Sequence, residues 1–141
     1  MSSFNHLSDC LTRLRNAVLA GHRQVLVTKT NLNEKVLGVL KDEGYLEGFE
    51  IYKNDNQTGN KKKSKAGDYF LVSLKYFRQK PVINEIKLYS TPSRRIYCTA
   101  SKLPTVKRGL GIAVISTNQG IMSDSKARQM GIGGEILAVV S

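Results

Sequence analysis

Up to Gly44 two stretches of apolar residues recur at helical spacing with a short β-branched run between them, and after Gly44 the pattern is mainly that of strands. That change of period restricts the chain to a mixed fold of helices and antiparallel strands. Leu7, Leu11, Leu14 and Val18 are spaced four, three and four apart, which is one face of an amphipathic helix. Asn5 is its candidate N-cap and Gly21 its stop. Arg13 and Asn16 fall on the opposite face, with Arg15 at the flank. Gln24 to Thr28 reads as a short β-branched strand. A second helix is expected to start near Asn31, with Glu34 three residues on as a capping-box partner. Its apolar stripe is Leu32, Val36, Leu37 and Leu40, and Gly44 ends it.

Tyr45 to Tyr52 reads as a strand, and Tyr69 to Phe77 as a longer one with Phe70, Val72, Leu74 and Tyr76 on one face. The two make a hairpin whose tip, Lys53 to Gly67, holds five lysines and no apolar residue but Ala66. Such a loop is more often solvated than phosphate-gripping, because like charges repel. Arg78-Gln79-Lys80-Pro81 marks a turn and a domain boundary. Beyond it, Val82 to Tyr89 and the segment led by Arg94-Arg95-Ile96-Tyr97 read as strands. A short helix is expected around Ser101 to Val106, with Pro104 tolerable only in its first turn. Ile112 to Ser116 is a compact β run and Asn118-Gln119-Gly120 a turn. Ser123 to Met130 reads as a short helix capped by Ser123 and stopped by Gly131, and Glu135 to Val140 as a closing strand. The fold class is α/β in the α+β sense: an αβαββ unit over residues 1–78, then a mainly β unit with short helices over 79–141. A chain of 141 residues suits one domain or two small ones sharing a core.

The charge bounds the partners. Twenty-two Lys and Arg face eleven Asp and Glu, a net +11, far more than solubility needs. Such an excess favours polyanions, nucleic acid before anionic membrane. From Gln79 onward nine basic residues stand against three acidic ones, Glu85, Asp124 and Glu135, so the second unit is the better anion-facing surface. The longest apolar runs, Ile112 to Ile115 and Ile136 to Val140, are too short to span a bilayer, and no membrane partner is expected. Met1 to His6 has neither the basic nor the apolar region of a signal peptide. Either the protein works where it is made, or a targeting segment is already gone. Cys10 and Cys98 make neither a zinc site nor a disulfide framework and read as ordinary part-buried thiols.

Enzyme readings fail on context. Gly109-Leu110-Gly111-Ile112-Ala113 starts like a dinucleotide fingerprint, but the fingerprint needs a strand before and a helix after. Here a β-branched run follows, and Val114 replaces the third small residue. His6 and His22 lie at the two ends of the first helix without a second catalytic partner and read as surface residues. No catalytic residue, metal ligand, cofactor or small-molecule substrate is expected.

Lys107 to Glu135 carries a different signal. Its glycines sit at turn points, so tight bends alternate with two short strands and a helix. Ser116, Thr117, Asn118 and Gln119 put four hydrogen-bonding side chains at a strand end, where they can meet base edges, ribose hydroxyls and phosphates. Lys107, Arg108, Lys126 and Arg128 lie nearby in sequence and can neutralise phosphates. Glu135 could accept from a base amino group or tie down the Gly133-Gly134 backbone, and the residues alone leave both open.

This stretch resembles the signature of the bacterial-type small-subunit ribosomal protein eight family: Gly111, Ile112 to Ile115, Ser116-Thr117, Gly120, Ile121-Met122, Lys126 to Arg128 and Gly133-Gly134-Glu135. Leu11 to Ala17, Leu40 to Phe49 and Arg94 to Val106 also resemble the family, in order and nearly end to end. The resemblance implies a non-enzymatic primary rRNA binder whose second domain grips an irregular helix in the central domain of small-subunit rRNA. Its neighbours would be small-subunit proteins five and two. The implied contacts are Ser116 to Gln119, Glu135 and Tyr97, with Arg94, Arg95, Lys107 and Arg108 beside them. Thr12, Arg13, Arg15 and Asn16 on the first helix would reach a second piece of rRNA. Tyr97 either stacks on a base, a contact of about 1–3 kcal/mol, or is a core tyrosine. Three features depart from the family. Asn118-Gln119 replace Ser-Lys at the tip, Ser93 replaces a glycine before Arg94, and the Lys53 to Gly67 loop is long. They point to a divergent member, either organellar (mitochondrial matrix or plastid stroma) or from bacterial cytoplasm. A free-standing RNA-binding regulator would use the same surface, and sequence does not separate the two.

Overall fold

The computed structural model describes residues 2–52, 69–91, 93–104, 106 and 111–141, with side chains from Asn5 onward. The basic loop Lys53 to Gly67, the Lys107-Arg108 pair and Gly109 of the glycine motif lie outside the described residues.

Helix α1 (Ser2–Ala20) buries Leu7, Cys10, Leu11, Leu14 and Ala17 on one face. It begins ahead of that stripe, so Asn5 is interior to the helix and does not cap it. Gly21 ends it as expected, at φ +75, with the His22 amide returning to the Ala17 carbonyl at 2.9 Å. Strand β1 (Gln24–Thr28) leads to helix α2 (Asn31–Asp42), whose N-cap is Thr30 and not Asn31. The Thr30 hydroxyl accepts from the Asn33 amide at 3.0 Å, which shifts the capping frame by one residue and leaves Glu34 outside the box. Asn33 is fully buried and its Nδ2 donates to the Thr28 carbonyl at 2.8 Å, so a polar side chain locks the β1–α2 corner.

Strands β2 (Leu46–Tyr52) and β3 (Tyr69–Leu74) pair antiparallel, as the hairpin reading expected, and β1 pairs with the other edge of β3. The expected Tyr69 to Phe77 strand is broken at Lys75. Tyr76–Phe77 (β4) turns away to pair with Lys80–Pro81 (β5), and the Lys75 carbonyl accepts from the Val82 amide at 3.0 Å. The expected Val82 to Tyr89 strand shrinks to β6 (Ile86–Leu88). The Asn84 and Glu85 amides turn to the Ser141 carbonyl instead, at 2.6 and 2.9 Å.

After β7 (Tyr97–Cys98), the expected Ser101 to Val106 helix is replaced, among the described residues, by a 3-10 turn over Ala100–Lys102, with Val106 again in 3-10 geometry. Leu103 is extended because it precedes Pro104, whose ring excludes the helical region for the residue before it. Strand β8 (Ile112–Thr117) and β9 (Gly120–Ser123) form a tight hairpin. Helix α3 (Asp124–Met130) is capped by Ser123 and closed by Gly131 at φ +70, both as expected. Strand β10 (Gly134–Val140) lies at the centre of its sheet, with β8 on one side and β6 and β7 on the other.

This second sheet has two apolar faces. Ile112, Val114, Leu137, Ala138 and Val140 join the buried residues of α1, α2 and the first sheet in one core cluster. Ala113, Ile115 and Ile136 point the other way and pack with Leu103, Val106, Met122 and Ala127. A bulge in β10 between Ile136 and Ala138 puts Leu137 and Ala138 into the same large cluster. The 78/79 boundary falls between the central residues of the β4–β5 turn, and the two halves share the larger core.

Candidate nucleic-acid interface

Register brings three distant sequence positions into one row. Glu135 on β10 is paired with Ser116 of β8 on one side and with Tyr97 of β7 on the other. Directly opposed residues share a face, and neighbouring strands stand about 4.8 Å apart. Tyr97, Glu135 and Ser116 therefore line one short row across the sheet.

Two glycines make that row possible. A Cβ on Gly134 would sit 2.2 Å from the Ser116 carbonyl oxygen, and one on Gly133 would sit 2.2 Å from the Cys98 carbonyl oxygen. Both obstacles are backbone, so only glycine lets β10 enter between β7 and β8 this closely.

Tyr97 is 64% exposed, which removes the core-tyrosine alternative and leaves a free ring face. Glu135 is buried, and both its oxygens meet one fork: Arg95 Nε donates to Oε2 at 2.5 Å and Nη2 to Oε1 at 3.0 Å. The hydrogen bond to Glu135 is the main reason the Arg95 guanidinium is held above its already high ordinary pKa. The buried carboxylate thus acts on Arg95, and neither sequence alternative for Glu135 included this partner. Ser90 secures the approach to the pair: its buried hydroxyl donates to the Ile136 carbonyl at 2.7 Å and accepts from the Ile96 amide at 2.9 Å. Arg94 is exposed beside it, at the turn closed by reciprocal backbone bonds with Thr91.

The β8–β9 tip follows the same row. Ser116 is half-buried, and Asn118 and Gln119 are exposed at the turn. Thr117 braces the turn from within, its hydroxyl donating to the Gly120 carbonyl at 2.7 Å and accepting from the Gln119 amide at 3.1 Å. Gly120 stands at φ +120, a conformation that costs glycine little. At the other end of the β8–β9 hairpin, the Arg128 guanidinium is committed to the buried Asp124 carboxylate at 2.5 Å, whereas Lys126 is exposed on α3.

The four α1 candidates stand apart from this row. Thr12 and Asn16 are exposed. Arg13 pairs with Asp9 at 2.9 Å. Arg15 is a tether, with Nε and Nη2 donating to the Ile86 carbonyl at 3.2 and 2.6 Å. Ile86 lies opposite Val140, at the far end of β10 from Glu135, so roughly 16 Å of strand separates the two groups. Among the described residues no group of His, Cys, Asp or Glu could hold a metal ion, and no helix is long and apolar enough to cross a membrane.

An α+β chain of two sheets on a shared core, carrying an uncharged hydrogen-bonding tip beside exposed arginine and tyrosine, is built to present a surface. Its sequence relatives agree on the family to which such a chain belongs. The family described as Ribosomal protein S8 matches residues 5–141, and the chain belongs to that family. It is 43% identical over 140 residues to small ribosomal subunit protein uS8 of Cereibacter sphaeroides, covering 99% of each chain. It is 44% identical over 141 residues to uS8 of Alcanivorax borkumensis, covering 100% of each. It is 46% identical over 137 residues to protein uS8c of Cyanidium caldarium, covering 95% of this chain and 96% of that one. The protein is a structural, non-enzymatic constituent of the small ribosomal subunit.

Proposed function

We propose that the Tyr97–Glu135–Ser116 row, with Arg94, Arg95 and the Asn118-Gln119 tip, grips the central domain of small-subunit rRNA and orders it during assembly. The observation that carries this reading is the strand register: it aligns an exposed aromatic ring, the carboxylate that clamps Arg95 and a serine hydroxyl on one sheet. Arginine supplies salt-dependent affinity for phosphate, and the uncharged tip supplies discrimination at base edges and ribose hydroxyls. No bond is made or broken. Binding lowers the free energy of one RNA conformation relative to its alternatives, and assembly proceeds from that conformation.

The chain works on this reading as two units, residues 1–78 and 79–141, that share one core. Thr12, Arg13 and Asn16 of the first unit meet a second RNA segment, while Arg15 holds the units together. Small-subunit proteins five and two are the neighbours that cover other parts of the surface. The ribosome it serves is bacterial or organellar. The test is a titration of the full chain into the central-domain rRNA helix and a scrambled stem, each at two salt concentrations. Preference for the true helix, lost with Ser116→Ala and Asn118→Ala together, supports the reading. Equal and steeply salt-dependent binding to both RNAs contradicts it.

A further inference from the structure

The β4–β5 hairpin carries features that the shared core does not use. Its turn is Arg78-Gln79, with φ of 55° and 68°, both in the left-handed region that glycine or asparagine normally supplies. Side chains at such positions cost backbone strain and persist where something over-determines them. Phe77 beside them is 65% exposed, and the Arg78 guanidinium carbon lies 5.2 Å from the centroid of its ring. Phe77, Arg78, Lys80, Pro81 and Val82 line an open depression of about 530 Å³. From Lys75 to Asn84 the chain has three lysines or arginines besides none of the acidic residues: Lys75, Arg78 and Lys80. The stem is fixed to the turn that follows α1, since the Tyr76 hydroxyl donates to the His22 carbonyl at 2.6 Å.

We propose that this hairpin tip is a second, separate RNA-stacking site, in which Phe77 and Arg78 take an unpaired base of small-subunit rRNA and Lys80 meets an adjacent phosphate. The inference rests on the rRNA-binding reading above and extends it to residues outside the sheet row. An exposed ring offers a stacking face to any base, and the guanidinium already beside it adds a second planar cationic surface. Lys75, Arg78 and Lys80, with no acidic residue between Lys75 and Asn84, favour a polyanion over a neutral or basic partner, and the exposed ring favours a base within it. The bond to His22 ties the hairpin to the segment that follows α1, the helix whose exposed Thr12 and Asn16 belong to the RNA-facing proposal.

The test uses the full chain with Phe77→Leu, which keeps apolar bulk and loses the ring, and Phe77→Tyr, which keeps the ring. Each is titrated into the minimal central-domain helix and into a transcript of the whole central domain, with base-specific chemical probing of the long RNA. Equal urea midpoints establish that all three chains are folded. Phe77→Leu is expected to bind the minimal helix like the unsubstituted chain and the long transcript about 5- to 150-fold more weakly, the range of one stacked base. Phe77→Tyr retains binding. One unpaired nucleobase, protected by the unsubstituted chain, becomes reactive with Phe77→Leu. Unchanged binding to the long transcript with unchanged probing overturns the proposal and leaves the sheet-row reading intact. If the unsubstituted chain fails to prefer either RNA over a scrambled one, the underlying rRNA reading fails, and this inference with it.

Discussion

Gly134→Ala tests whether the close approach of β10 to β8 is what builds the row. The added Cβ would stand 2.2 Å from the Ser116 carbonyl oxygen, 2.9 Å from its carbonyl carbon and 3.1 Å from the Thr117 Cα. A carbon–oxygen contact needs more than 3 Å, so β8 must move by about 1 Å or β10 must twist away. Overpacking of this kind costs about 1–3 kcal/mol, and rigid backbone neighbours put Gly134→Ala at the upper end. The expected loss is about 2–3 kcal/mol, or roughly 6–9 °C in Tm for a chain of this length. Gly38→Ala is the matched comparison, since Gly38 lies inside α2 with open space around its Cβ direction. Removing a helix-interior glycine there should stabilise by about 0.5–1 kcal/mol. Urea unfolding followed by circular dichroism reads both. A loss below about 0.5 kcal/mol for Gly134→Ala refutes the argument that glycine is required by backbone crowding.

The Cys10 thiol is pushed up from 9.0 to about 12, mainly by burial. Below pH 9 it is protonated in both the folded and unfolded states, while between pH 9 and 12 only the unfolded chain releases its proton. Stability is therefore lost as pH rises through that window, by up to about 4 kcal/mol, and Cys10→Ala should flatten the decline seen by urea titration. At pH 8 a thiol reagent should modify half-exposed Cys98 and leave Cys10 unreacted in the native protein, as mass spectrometry can check. Arg95→Ala strands a buried carboxylate, so it should lower Tm, and adding Glu135→Leu should recover part of the loss in a double-mutant cycle. Arg94→Ala should flatten the salt dependence of RNA binding by about 0.7–0.9 log units per log unit of salt. Tyr97→Ala should weaken binding by about 1–3 kcal/mol with little change in that slope, both read from titrations at several salt concentrations.

Local signals read well at the apolar stripes of α1 and α2 and at both ends of α3, whereas the caps expected at Asn5 and Asn31 fall elsewhere. Helical spacing located α1 and α2, and Ser123 and Gly131 bounded α3, because caps and stripes depend on neighbours a few residues away. Cys10 and Ala17 were absent from the α1 stripe because a small or sulfur-bearing residue carries a weak apolar signal, yet both are buried. The β4–β5 turn read as punctuation, because the usual glycine signal of a tight hairpin is missing from Arg78-Gln79. The site was legible as a list of residues and illegible as an arrangement. Tyr97, Ser116 and Glu135 become neighbours only through the pairing of three strands. Arg95 and Glu135 are 40 positions apart, so no local pattern announces their clamp. Arg15 looked like one more cation on a solvent-facing flank, and its bond to Ile86, 71 positions away, depends on the docking of α1 against β6.

The most direct test of the central claim is an NMR titration of the isotope-labelled chain with the central-domain rRNA helix, followed at the backbone amides. The account predicts that the largest shifts fall on Tyr97, on Ser116 to Gly120 and around Arg94-Arg95, with the exposed Glu47 and Glu50 of β2 unmoved. Large shifts on another face, with Tyr97 and the β8–β9 tip unchanged at saturation, would contradict it.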